Sequence, residues 1–69
     1  MLLVRASING EPRDFPDGLT LEHVLETLGS PQRGIAVAKN GVVVPRSMFS
    51  REVIQDGDLL EIIKAVAGG

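Results

Sequence analysis

The stretch TLEHVLETLG, residues 20–29, decides how the chain folds. Leu21, Val24, Leu25 and Leu28 recur at i, i+3, i+4 and i+7, which lines them up as one apolar stripe on a helix. Thr20 stands just before the stripe, where its hydroxyl satisfies an orphan backbone N–H and adds about 1 kcal/mol. Glu22 suits the positive end of the helix dipole. Gly29 tolerates the left-handed backbone with which helices commonly end, and Pro31 follows shortly after. His23 falls opposite the stripe and faces water. A helix with one apolar stripe must bury it against another element.

The flanking sequence supplies strands on both sides. Upstream, residues 2–9 alternate, with Leu2, Val4, Ala6 and Ile8 on one side and Leu3, Arg5, Ser7 and Asn9 on the other. Asn9-Gly10 is a hairpin signal, because both residues tolerate positive φ. The return strand over 11–15 carries Pro12, which cannot donate to a ladder and belongs at a sheet edge. Pro16-Asp17-Gly18 is a turn. Downstream, GIAVAKNGVVVP (34–45) repeats the strand–NG–strand pattern, with the turn at Asn40-Gly41. Ala36 and Ala38 alternate with Ile35 and Val37, and the small residues are expected to let the helix approach closely. After Pro45 the sequence is irregular, and Met48 with Phe49 is expected to fold back as an apolar plug through a short helical turn. Residues 56–58, Asp-Gly-Asp, turn the chain into a last strand over 59–66 in which Leu60 and Ile62 share a face. The order is ββαββ, a loop and β. It predicts an α+β domain, a mixed five-stranded sheet with one main helix on one face. The central, parallel placement of the first and last strands is the most economical arrangement and rests partly on resemblance to a known fold.

Size and charge limit what such a domain does. Ordering 69 residues costs on the order of 100 kcal/mol, so nearly every apolar side chain must contribute to the core. There is no cysteine and a single histidine, which removes disulfides, thiolate zinc sites and imidazole clusters. A net charge of −2, with the seven basic residues scattered, argues against nucleic acid as a partner. No run is long and apolar enough to span a membrane and no signal-peptide layout opens the chain, so the expected location is the cytoplasm. Glu22 and Glu26 share a solvent face with no pocket to perturb them. Asp56 and Asp58 offer far fewer oxygens than a calcium site needs. Ser7, Ser30, Ser47 and Ser50 have no histidine partner in view.

Two glycines remain, Gly68 and Gly69, after the last apolar stretch. Backbone without Cβ passes through channels closed to other residues and adopts any φ. Composition alone leaves three readings open: a frayed end, a cut end, or a thread that enters another enzyme's narrow site. The expected division is a globular domain over 1–66 and a flexible Ala-Gly-Gly tail over 67–69.

The segments INGE (8–11), FPDGLTLEHVLETL (15–28), IAVAKNGVVVPRSMF (35–49), IQDGDLLEII (54–63) and the final AGG, in that order, closely resemble the ThiS family of thiamine-biosynthesis sulfur carriers. The resemblance covers essentially the whole chain; Phe49 stands where the family often has tryptophan. It implies a β-grasp, or ubiquitin-like, fold and a carrier rather than an enzyme. It further implies that an E1-like adenylyltransferase of the ThiF type uses ATP and magnesium to turn the Gly69 carboxylate into an acyl-adenylate. A sulfur donor such as a cysteine desulfurase then supplies sulfur to give a thiocarboxylate, which passes to thiazole synthase of the ThiG type. Gly68 gives the tail access, and the chain itself binds no metal or cofactor. The lack of cysteine fits, since the chain cannot hold sulfur as its own persulfide. Leu3, Leu59 and Ile63 on the open sheet face, with Val66, Ala67 and Arg46, are the candidate partner contacts; the competing reading makes the apolar ones partly covered core and Arg46 an ordinary solvated side chain. Other uses of the same terminus are sulfur delivery of the molybdopterin-synthase small-subunit type and conjugation to lysines as a protein modifier. An inert interaction module is the fourth.

Overall fold

The alternation in the first strand folds as expected in a computed structural model of the chain, which describes residues 3–64. Strand β1 (Leu3–Ile8) pairs antiparallel with β2 (Glu11–Pro16), and Asn9 and Gly10 take φ of 52° and 88° in the turn between them. Val4, Ala6 and Ile8 are buried and Leu3 and Arg5 are exposed. Leu2 lies outside the described residues. Helix α1 (Leu21–Thr27) starts where the threonine predicts: the Thr20 hydroxyl oxygen accepts from His23 N at 3.4 Å. Two further orphan amides of its first turn are satisfied by the later loop, as Leu21 N donates to Glu52 O at 2.7 Å and Glu22 N to Phe49 O at 3.0 Å. Gly29 ends the helix at φ 72°.

Strands β3 (Ile35–Lys39) and β4 (Val42–Val44) form the second hairpin, with Asn40 at φ 54° in its turn. A 3₁₀ turn over Arg46–Met48 follows, and the chain then enters β5 (Leu59–Lys64). The strands lie in the order β2-β1-β5-β3-β4, with β1 and β5 parallel and the other neighbours antiparallel. The two outer strands differ in character. β2 carries Pro12, Pro16 and three charges, whereas β4 is three valines, two of them 68% exposed.

The core lies between α1 and one face of the sheet, where Leu21, Val24 and Leu25 meet residues from β1, β3 and β5 with Phe15, Phe49 and Ile54. Two expectations need correction. The helix does not approach over Ala36 and Ala38. The register sets Val37 opposite Ile62 and Val44, so Val37 is fully buried, while the alanines face the other way beside Ile63 and Glu61. Burying isoleucine and valine removes more apolar area from water than burying alanine, and that difference outweighs any gain from closer approach. The plug after β4 is Phe49 alone, at 2% exposed; Met48 is 38% exposed because the 3₁₀ turn points it outward.

The contrast yields a test. Phe49→Ala should cost about 3–5 kcal/mol, a large share of the roughly 3–10 kcal/mol expected of 69 residues. Met48→Ala should cost under about 1 kcal/mol. Urea unfolding followed by circular dichroism reads both.

Candidate functional site

β5 positions the candidate site, because residues 65–69 continue directly from it and its two sides meet different surroundings. Leu60 and Ile62 turn toward the core, while Leu59, Glu61 and Ile63 stand on the uncovered face. Leu59 and Ile63 are 60% and 59% exposed there. Ser7 lies beside Leu59 in register, Ala36 beside Ile63, and Ala38 beside both Glu61 and Val43. The result is a low floor of small side chains between taller ones, apolar at Leu59, Ile63 and Val43 and charged at Glu61.

Leu3 occupies the same face but not the same place. Its partner is Pro16, and it precedes Ser7 by four residues, about 13 Å along the strand from the level of Leu59. Arg5 and Asp14 pair next to it, with Nε to Oδ1 at 2.9 Å. Arg46 is exposed in the 3₁₀ turn and belongs to no strand of this face. The structure therefore groups Leu59 and Ile63 and sets Leu3 and Arg46 apart from them. Val43, which the sequence reading did not single out, joins the group. Its signal was present in the Asn-Gly turn, which sets the register that turns the middle valine outward. Val66, Ala67, Gly68 and Gly69, and with them the expected tail, lie outside the described residues.

The start of β5 is fixed by a polar cluster also missed from sequence, where Asp56 and Asp58 read only as a turn. Asp58 is nearly buried; its Oδ1 accepts from Asn40 Nδ2 at 3.0 Å and its Oδ2 from Gln55 N at 2.7 Å. Lys39 Nζ bonds Glu52 Oε2 at 2.8 Å and lies 3.5 Å from Asp58 Oδ2. Burial opposes ionisation of Asp58, but the bonds from Asn40 and Gln55 and the Lys39 charge outweigh it and hold the pKa below the usual aspartate range. The bond to Glu52 raises the Lys39 pKa, against its burial and with help from Asp58. Asn40 Oδ1 accepts from Leu59 N at 2.9 Å. At the other end of β5, Asn9 Oδ1 accepts from Ile62 N at 2.8 Å. Apart from Gln55, three residues from Asp58, none of these partners is local in sequence, so only the asparagine-glycine pairs hinted at them.

Among the described residues no group of three or more His, Cys, Asp or Glu side chains is placed to hold a metal ion, and no helix is long and apolar enough to cross a membrane. The arrangement instead offers an apolar face beside the root of a glycine-ended segment. The ThiS family model matches residues 6–69. The chain belongs to the ThiS family. It is 38% identical to the sulfur carrier protein ThiS of Escherichia coli over 61 residues, 88% of this chain and 92% of that one. It is also 42% identical over 62 residues to a thiazole synthase of Paramagnetospirillum magneticum, of whose length the chain spans 19%. The crystal structure of a thiamine biosynthesis protein (ThiS) from Geobacter metallireducens superposes with a TM-score of 0.83 at 28% identity, covering 96% of this chain and all of that one. The five-stranded mixed sheet with one helix is thus the β-grasp of the ThiS family.

The Asp58 cluster predicts an acid limb. Its lowered pKa means that the unfolded chain binds more protons in acid, so the stabilisation is complete above the ordinary aspartate value of about 3.9 and is lost as pH falls through the folded one. Asp58→Asn should lower stability at pH 7 by roughly 1–3 kcal/mol and flatten its dependence on pH below about 4. Urea midpoints measured across that range decide it.

Proposed function

We propose that this chain carries sulfur for thiazole formation in thiamine biosynthesis, with Gly69 as the acyl carrier. The reading rests chiefly on one observation: the ThiS family match extends through the diglycine, to residue 69. A carboxylate does not exchange oxygen for sulfur unaided, because oxide is a hopeless leaving group. Attack of the Gly69 carboxylate on the α-phosphate of ATP, in an E1-like enzyme of the ThiF type using magnesium, releases pyrophosphate and leaves an acyl-adenylate. A persulfide sulfur then attacks the carbonyl carbon and AMP departs with the bonding pair. A second thiol cleaves the resulting acyl disulfide, leaving the thiocarboxylate on Gly69 and a disulfide on the thiol side. A cysteine desulfurase is the class of donor that supplies such a persulfide. The chain performs none of these steps itself; it is a co-substrate that binds no cofactor, and it works where these enzymes are, in the cytoplasm.

Thiazole synthase of the ThiG type is the acceptor in this reading. Support comes from relatives named thiazole synthase that align to this chain over about a fifth of their own length. The uncovered face around Leu59, Ile63 and Val43 is the docking surface, and Gly68 keeps the carboxyl end free of side chains that would block entry. Docking raises the effective concentration of the bound sulfur at the acceptor.

Incubation with a ThiF-type enzyme, ATP, magnesium, cysteine and a desulfurase should exchange one oxygen for sulfur, read by intact mass. An isopeptide ladder or an unchanged mass overturns the proposal. Deleting Gly69 should abolish the exchange while shifting the thermal midpoint little. Ile63→Arg should weaken docking by about 5–30-fold with the fold intact.

A further inference from the structure

We propose that the uncovered sheet face takes a basic side chain, arginine or lysine, of its partner enzyme in the recess beside Glu61. The inference rests on the docking reading above and names the chemistry of that surface. The strands place three charged side chains on this face, Arg5, Asp14 and Glu61. Arg5 and Asp14 stand opposite each other and pair at 2.9 Å. Glu61 is exposed and has no ion-pair partner among the described residues. Arg5 lies two residues before Ser7, which is level with Leu59, and Glu61 lies two residues beyond Leu59. Along the strands that is roughly 13 Å, too far for Arg5 to serve both carboxylates.

Position decides what the lone charge means. Leu59 and Ile63 flank Glu61 on β5, each about 7 Å away. Ala38 lies beside it in register, with Val43 beyond. A partner that covers the exposed apolar side chains therefore covers Glu61 as well. A carboxylate stripped of water without a counter-charge carries a heavy desolvation penalty. The partner must bring a cation to the same spot.

The recess suits one. Its volume is about 420 Å³, and Ser7, Asn9, Gly10, Leu59, Leu60 and Glu61 line it. Asn9 gives its amide to Ile62, with Oδ1 accepting at 2.8 Å and Nδ2 donating at 3.3 Å, and so leaves Glu61 to another donor. Leu59 offers a wall to the methylene stem of a long basic side chain, while Glu61 and the Ser7 hydroxyl receive its charged head. Arginine fits best, because its planar fork meets a carboxylate in two parallel bonds. A second recess, between β4 and the 3₁₀ turn, also holds a carboxylate, Glu52, but Lys39 already bonds it at 2.8 Å. That recess calls for no cation.

The test uses the full chain and a thiazole synthase of the ThiG type, with affinity read by titration calorimetry at low and at high salt. Glu61→Gln keeps the size and removes the charge. It should weaken binding at least about ten-fold and flatten the salt dependence of the native affinity. Glu61→Arg sets like charges together and should weaken binding at least about 100-fold. Glu26→Gln removes an exposed carboxylate from the helix side and should bind as the native chain does. Urea midpoints of all three variants should match the native one, since neither glutamate side chain supports the fold. Equal affinity of Glu61→Gln and the native chain overturns the inference and leaves the docking reading standing. So does an equal loss in Glu26→Gln, or a midpoint that falls only in the Glu61 variants. A native chain that does not bind thiazole synthase removes the docking reading, and the inference with it.

Discussion

With a single seven-residue helix to cover a five-stranded sheet, the chain concentrates its burial on one side. Leu21, Val24 and Leu25 are completely inaccessible, and Phe15 and Phe49 are buried in the same core. Everything else follows from that economy. Among the described residues nothing covers the opposite face, so what stands on it is set by the alternation of strands whose other side is committed to the core. Leu59 and Ile63 face outward because Leu60 and Ile62 must face inward. The exposed apolar positions of β5 are thus a by-product of the core's register.

The same scarcity explains the polar clamps. β5 is central, yet one neighbour turns away after Ile8 and the other ends in a tight hairpin. Unpaired amides at either end would leave the strand weakly held, since each buried donor without a partner carries a desolvation cost. Two turn asparagines and a nearly buried aspartate complete the pairing, and Lys39 ties Asp58 to the loop whose carbonyls cap the helix. Hairpins, central strand, helix and loop are in this way joined by a small set of bonds that span most of the chain.

What the sequence revealed, and what it hid, divides along the same line. Alternation over 3–8, the threonine before the helix, the 3.6-residue stripe and the two Asn-Gly pairs are local signals, and each folded as read. The 34–45 segment was harder because Ile35, Val37 and the alternating Ala36 and Ala38 all pass as interior residues; only the pairing with β5, whose residues lie 21 to 29 positions further on, decides which set turns inward. Met48 and Phe49 were ambiguous for the same reason. Asp58 looked like an ordinary turn residue because Asn40 and Lys39 are far off in sequence. For the functional region, Leu59 and Ile63 were legible from strand period, whereas Val43 needed the register of the second hairpin. The glycines were legible as composition, and the role proposed for them rests on likeness to a family rather than on any spacing.

The outer strands have a further consequence for how such a chain survives in a crowded solution. β2 presents prolines and charges to its free side, features that discourage another chain from adding on. β4 presents valines, the composition that templates cross-chain growth. Its defence is brevity. Pro45 halts it after three residues, so an intruding strand finds only a short ladder and gains too few bonds to nucleate a fibril. Lengthening that hairpin arm, rather than altering the core, is the change that would open this edge to cross-chain growth.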